Sequence, residues 1–246
     1  MLRGRTAVLV FAGGAAVAVA VHRLALRRLS NRAKLMGMVK CVPYSVLGTQ
    51  LSRQGAVTQA GPKPSRQTVI VDPAGLPYVS GKMPPSAAGA ASGSIYTLIG
   101  LSEAPFFPAA VSSAITKPGD AKLHDYGAAV VIHVVGEDFR GGQGQADIDA
   151  LRKLAAAYSN VLKEVQFADG ERLVLRLLPI SGGVFSAHYA NDMHHLTFAA
   201  LDLAFAGLNA TSRRAVEKLE AIEMCIFLEK ELELYQRALS WKTGVE

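Results

Sequence analysis

Two glycine-bearing turns and one histidine cluster hold the residues of this 246-residue chain whose types and spacing could do chemistry. The turns are GAASG, Gly89 to Gly93, and SGGVF, Ser181 to Phe185. Glycine lets backbone N–H groups close on a phosphate that a side chain would hold away, and a following helix N-terminus adds favourable dipoles. Gly89, Gly93, Ser181, Gly182, Gly183, Val184 and Phe185 are therefore candidate members of a phosphate cradle. The same glycines also suit tight strand-to-helix turns with no ligand at all, and residue type alone does not separate the two readings. Ser181 lies beside two glycines as some nucleophiles do, but no Gly-x-Ser-x-Gly frame surrounds it and no base is assigned to it.

The cluster is HYANDMHH, with His188, Asp192, His194 and His195 as conceivable metal ligands. Metal sites usually recruit ligands from separated segments. A polar first helical turn, capped by Asn191 or Asp192, explains the same residues, so no metal and no cofactor is expected. His133 falls inside an apolar run and reads as a core histidine with its hydrogen bonds satisfied. Glu229, Glu231 and Glu233, with Lys230 and Arg237, read as a solvated helix face. Trp241, the single tryptophan, sits in a polar tail, where it is a partner contact or an ordinary surface residue.

These residues need strands and helices to place them. Thr68 to Val71 is a β-branched run suited to a buried strand; Ala128 to Val135 and Leu173 to Leu178 read likewise. The latter two are expected to be neighbouring central strands, apolar on both faces. Met38 to Leu47 reads as a strand that Pro43 confines to an edge, and Arg53 to Arg66 as loop. Ser94 to Gly100, Asp147 to Phe167 and Asn191 to Leu208 carry helical patterns, and Ala221 to Leu228 leads from a strand into a helix ending near Leu239. Strands that alternate with helices and are apolar on both faces imply a mostly parallel sheet covered on both sides.

Charge is distributed unevenly. The formal net charge is +6, yet residues 1–71 hold eleven Lys/Arg and no Asp/Glu, which leaves the remainder acidic. That asymmetry argues against a nucleic-acid-binding face on the main domain. Cys41 and Cys225 are far apart and lack CxxC spacing, so neither a disulfide framework nor a zinc site is expected. Thr6 to Val21 is uncharged and nearly all apolar, with Arg3 and Arg5 before it and Arg23, Arg27, Arg28, Arg32 and Lys34 after it. A secretory signal would want a cleavage site and a polar mature start, and a cleaved mitochondrial presequence would be amphipathic. An uncleaved single-pass anchor is the preferred reading, with contact to the bilayer through residues 6–29, an anchor segment 1–36 and a main domain 37–246. The Arg-rich, acid-free flanks suit the mitochondrial inner membrane, and the excess of positive charge after the span puts the main domain on the matrix side.

Read outward from AVVIHVVGEDF (Ala129 to Phe139) and LPISGGVF (Leu178 to Phe185), the chain resembles the macro domain, a module that binds ADP-ribose. QGAVTQ (Gln54 to Gln59), VDPAGL (Val71 to Leu76) and GAASGSIY (Gly89 to Tyr96) are similar to three further segments of that family, in order, over roughly residues 39–240. The resemblance implies a three-layer α/β/α sandwich with a mixed, mostly parallel sheet. It also implies departures. Ala56 stands where the family has an Asp that accepts from adenine, Gly75 where an Asn meets the distal ribose, Asp72 where the other Asn stands, and Ser92 at the polar position of the phosphate loop. Each lost contact costs about 1–3 kcal/mol. The resemblance therefore implies weak ADP-ribose or nucleotide binding, no catalysis, and a role as accessory subunit with protein partners in a membrane complex. A membrane-tethered ADP-ribose reader or hydrolase is the alternative.

Overall fold

The computed structural model describes residues 32–141 and 147–244. The apolar stretch Thr6 to Val21 lies outside them. Among the described residues no helix is long and apolar enough to cross a membrane.

Six strands form the main sheet: β1 (Val39–Val42), β4 (Thr68–Ala74), β5 (Ala121–Asp125), β6 (Val130–Val135), β7 (Val174–Leu177) and β8 (Ala221–Cys225). Their spatial order is β1-β8-β7-β4-β6-β5, parallel throughout except for β5, which runs antiparallel to β6. A separate antiparallel hairpin joins β2 (Thr49–Leu51) to β3 (Val57–Gln59), so Arg53 to Arg66 is not all loop: β3 lies within it. Among the described residues, 32–37 are helical before β1, and the α-helical segments after it are α1 (Leu76–Val79), α2 (Ala90–Leu98), α3 (Ala109–Ser112), α4 (Asp147–Glu164), α5 (Met193–Gly207), α6 (Ala210–Glu217) and α7 (Leu232–Thr243).

Side-chain alternation on the strands creates two cores. Val69 and Val71 of β4 and Ile132 of β6 pack with Leu154 of α4, Phe198 of α5 and Ala238 of α7. Ile70 of β4 and Val131 and Val135 of β6 pack on the other face with Ile95 and Tyr96 of α2 and Val111 of α3. The result is the expected three-layer sandwich, because a strand that is apolar at every position needs cover on both faces. Pro43 follows β1 at the sheet edge, as its missing N–H requires.

One expectation about the sheet is corrected. β6 and β7 are both interior, but β4 lies between them, so they are not neighbours. The four-residue run Thr68 to Val71 is buried throughout and takes the centre. β7 is also not apolar on both faces. Arg176 points into the second core at 3% exposure and is neutralised there by Glu223 of β8, its register partner, at 2.8 Å. The same guanidinium donates to the carbonyls of Val46 and Pro62 and lies over the Tyr44 ring. It therefore clamps both ends of the hairpin connection to the sheet.

Candidate functional site

β4 feeds its chain to the α2 side of the sheet, whereas neighbouring β7 feeds its chain to the α5 side. In a parallel sheet the crevice for a ligand opens at the carboxyl ends of two strands that part in this way. The candidate residues follow those two strand ends.

After β4 the chain makes the turn α1 and then reaches Gly89, which precedes α2 with its backbone extended. A side chain at Gly89 would meet nothing within 4 Å, whereas a Cβ at Gly93 would come within 2.4 Å of the Ala88 carbonyl oxygen. Gly93 is thus required by the close seating of α2 on the segment before it, with or without a ligand. Ala90 takes φ of 52°, a left-handed conformation that costs a non-glycine residue about 1–3 kcal/mol. The helix start is held to β4 by Ser92, whose hydroxyl donates to Asp72 Oδ1 at 2.6 Å.

After β7 the chain turns through Pro179 to Gly182, and the Gly182 N–H is spent on the Pro179 carbonyl at 3.1 Å. Ser181 has φ of 61°, and its buried hydroxyl has no hydrogen-bond partner among the described residues. A nucleophile needs a base within reach, so the reading of Ser181 as nucleophile finds no support. Gly136, at the end of β6, lets the strand pass against this turn; a Cβ there would lie 2.5 Å from Ser181 Oγ. Gly183 takes φ of 59° and begins a short turn that leaves Val184 73% exposed. Arg140 lies over the half-buried Phe185 ring at 4.8 Å. The acidic groups leading out of β6 are already engaged: Glu137 pairs with Lys153 and Asp138 with Arg140, each at 2.6 Å.

The polar feature that residue-by-residue reading missed lies beneath the crevice. Asp72 and His133 are opposite one another in the β4–β6 register and fully buried. His133 Nδ1 lies 2.7 Å from Asp72 Oδ2, and Tyr126 Oη lies 2.8 Å from His133 Nε2. With the carboxylate on one side, Nδ1–H donates and Nε2 accepts from the phenol. The chain Tyr126–His133–Asp72–Ser92 thus ties β6, β4 and α2 together, with the rings of Tyr96 and Phe107 packed around His133. Burial, and then the charge of Asp72, push the Tyr96 phenol far above its ordinary range. The core reading of His133 fits its two satisfied nitrogens. Asp72 faces inward, toward Ser92 and His133.

The other candidates are dispersed. His188 stacks on Tyr189, His194 faces Tyr235 and His195 faces Trp241. Among the described residues no group of three or more His, Cys, Asp or Glu side chains is placed to hold a metal. Asp192 precedes α5 without a side-chain capping bond. Ala56 is exposed in the hairpin turn, its N–H bonded to Ser52 Oγ. Gly75 sits under the Tyr78 ring, 2.8 Å from where a Cβ would be. Cys41 and Cys225 are both free thiols, the first packed against one core and the second buried in the other.

Solved structures share this fold. The Oceanobacillus iheyensis macrodomain with ADP superposes with a TM-score of 0.52 at 16% identity, over 73% of this chain and 86% of that one. The same macrodomain with MES bound gives 0.52 at 14% identity, over 84% and 91%. The fold is that of a macrodomain. No protein-family model and no curated protein matches the chain. The β4 and β7 ends described above are where the connections of two neighbouring parallel strands part, and the Asp72–His133 pair is buried between β4 and β6.

Proposed function

We propose that this chain is a non-catalytic macro-fold protein, held at the mitochondrial inner membrane by its N-terminal segment, with the main domain on the matrix side. Its role is that of an accessory subunit that contacts protein partners in a membrane complex. One observation carries the non-catalytic part: Asp72, the ionisable residue nearest the crevice on the central strand, is consumed by His133 and Ser92 inside the core. Glu137 and Asp138 are likewise paired, so none of these carboxylates is poised to direct a water. The uncharged run from Thr6 to Val21 with its basic flanks supports the anchor.

The experiment is calorimetric titration of the full chain in mild detergent with ADP-ribose. With Ala56 and Gly75 unable to supply their contacts, the expected dissociation constant lies above about 100 μM, since two lost contacts remove several kcal/mol from a micromolar binder. Tight, adenine-selective binding overturns this reading.

A second reading, a membrane-tethered ADP-ribose reader or hydrolase, is favoured by one feature. Ala90 and Ser181 both keep left-handed backbones in the two turns beside the crevice. Such strain persists mostly where a site requires it, and ADP is the ligand named for one of the solved macrodomains. Release of ADP-ribose from a modified protein substrate would establish it.

A further inference from the structure

The chain enters its folded body at one fixed place. Arg32 donates two hydrogen bonds to the carboxylate of Asp202 on α5, and Lys242 of α7 donates to the same carboxylate at 2.8 Å. The Asp202 side chain is only 4% exposed, and Leu35 and Met36 just beyond are buried in the first core. Arg32 is therefore pinned to the α5/α7 surface. The uncharged stretch ends at Val21, eleven residues earlier. Eleven residues reach at most about 36–40 Å when extended and about 16 Å when helical. A bilayer that holds residues 6–21 therefore lies within that distance of this surface.

The surface is suited to such a neighbour. Leu234 and Trp241, seven residues apart on one stripe of α7, are 46% and 78% exposed. The indole ring sits 5.8 Å from the His195 ring of α5, and Leu203, two turns further along α5, is 44% exposed. Lys242, next to Trp241, is paired with Asp202 of α5, and Lys34 with Glu217 of α6. An exposed tryptophan beside leucines matches the headgroup depth of a membrane, where an amphipathic ring is most stable. The intervening Arg23, Arg27 and Arg28 add attraction to anionic headgroups.

We infer that the α5/α7 face around Trp241 lies against the headgroup layer of the bilayer that holds the N-terminal segment. This rests on the anchor reading proposed above. It goes further, because a flexible tether would leave the domain free to turn any face to the membrane.

Trp241 is the single tryptophan, so its emission reports directly on this contact. The full chain is reconstituted into vesicles of phosphatidylcholine and phosphatidylglycerol, and into matched vesicles with brominated acyl chains. The expected result is loss of most of the tryptophan emission in the brominated set. Trp241→Phe/Phe106→Trp moves the probe to an exposed position of the opposite layer, where the emission should be the same in both sets. Both positions are exposed, so neither change should impair folding. Vesicles that float with the protein while Trp241 stays unquenched overturn the docked face and leave the anchor standing. Equal quenching at position 106 overturns it too. Failure to float overturns both the docking and the anchor.

Discussion

Removing the Asp72 carboxylate should cost stability rather than ligand affinity. In Asp72→Ala, His133 Nδ1–H loses its only acceptor in a fully buried setting, and an orphaned buried donor costs about 1–3 kcal/mol. Ser92 fares better, because the Pro73 carbonyl already lies 3.4 Å from its hydroxyl, so its loss is about 0.5–1.5 kcal/mol. Removing a desolvated carboxylate returns part of this, since isolated buried charges are themselves unfavourable. The net expectation is about 2 kcal/mol, which at this chain length lowers Tm by roughly 4–8 °C. Asp72→Asn keeps the shape and one acceptor, so it should lose about half as much. The assay is thermal unfolding of the full chain in mild detergent, followed by circular dichroism, for wild type, both variants, Ser92→Ala and the Asp72→Ala/Ser92→Ala pair. Coupling between positions 72 and 92 should be of the order of 1 kcal/mol. If Asp72→Ala unfolds within about 0.5 kcal/mol of wild type, the network does not hold the sheet to α2 and Asp72 is available for another role.

Three further outcomes follow from the same contacts. Burial favours the neutral form of Asp202, but hydrogen bonds from Arg32 and Lys242 prevail and hold its pKa below the ordinary carboxylate value. A depressed folded pKa gives stability that is complete above the unfolded value of about 3.9 and is lost as pH falls through the folded one. Amide exchange at Leu35 and Met36 should therefore quicken below about pH 4, and in Asp202→Asn it should already be fast at neutral pH; unchanged protection in that variant refutes the pinning of Arg32. Arg176→Met leaves Glu223 without its partner and the Val46 and Pro62 carbonyls without a donor, so a loss of about 3–5 kcal/mol is expected by denaturant titration. Gly93→Ala should cost about 1–3 kcal/mol through the contact with the Ala88 carbonyl, whereas Gly89→Ala, with open space around it, should be nearly neutral in the same titration.

How much of this was legible beforehand depended on whether a feature is local. The continuous apolar runs of β4 and β6 and the helical spacing of α4 are properties of single segments, so the layered sandwich could be read from them. Strand order is not such a property. Nothing within Val130 to Val135 or Leu173 to Leu178 says that Thr68 to Ala74 will run between them, because the crossover through α4 that skips a position is decided by packing across the whole sheet. Arg176 shows the same limit from another side: Leu173 to Leu178 reads as a central strand apolar on both faces, and the charge within it is accommodated by Glu223, forty-seven residues later in the chain. The hairpin of β2 and β3 was hidden because its strands are three residues each, the first half-buried and the second exposed, which leaves no hydrophobic alternation to detect.

The candidate site illustrates a different limit. Glycine marks a position where a side chain is excluded, and the sequence does not record what excludes it. At Gly93 the excluding group is the Ala88 carbonyl, at Gly136 it is Ser181 with Ile180, and at Gly182 it is the Pro179 carbonyl, all parts of the chain itself. At Gly183 the space is open but the left-handed backbone itself calls for glycine, whereas at Gly89 nothing stands nearby and the backbone is extended, which makes Gly89 the position where a bound phosphate would be the reason for glycine. The two kinds respond differently to substitution. A glycine needed for packing reveals itself by lost stability with no ligand present, whereas one needed for a ligand reveals itself by lost affinity in a fully stable protein. Pairing Gly93→Ala with Gly89→Ala therefore asks of each turn which of the two it was kept for. Asp72 belongs with the first group: it occupies the site's most central strand, yet its partners are His133 and Ser92, and its removal should register in Tm before it registers in any binding curve.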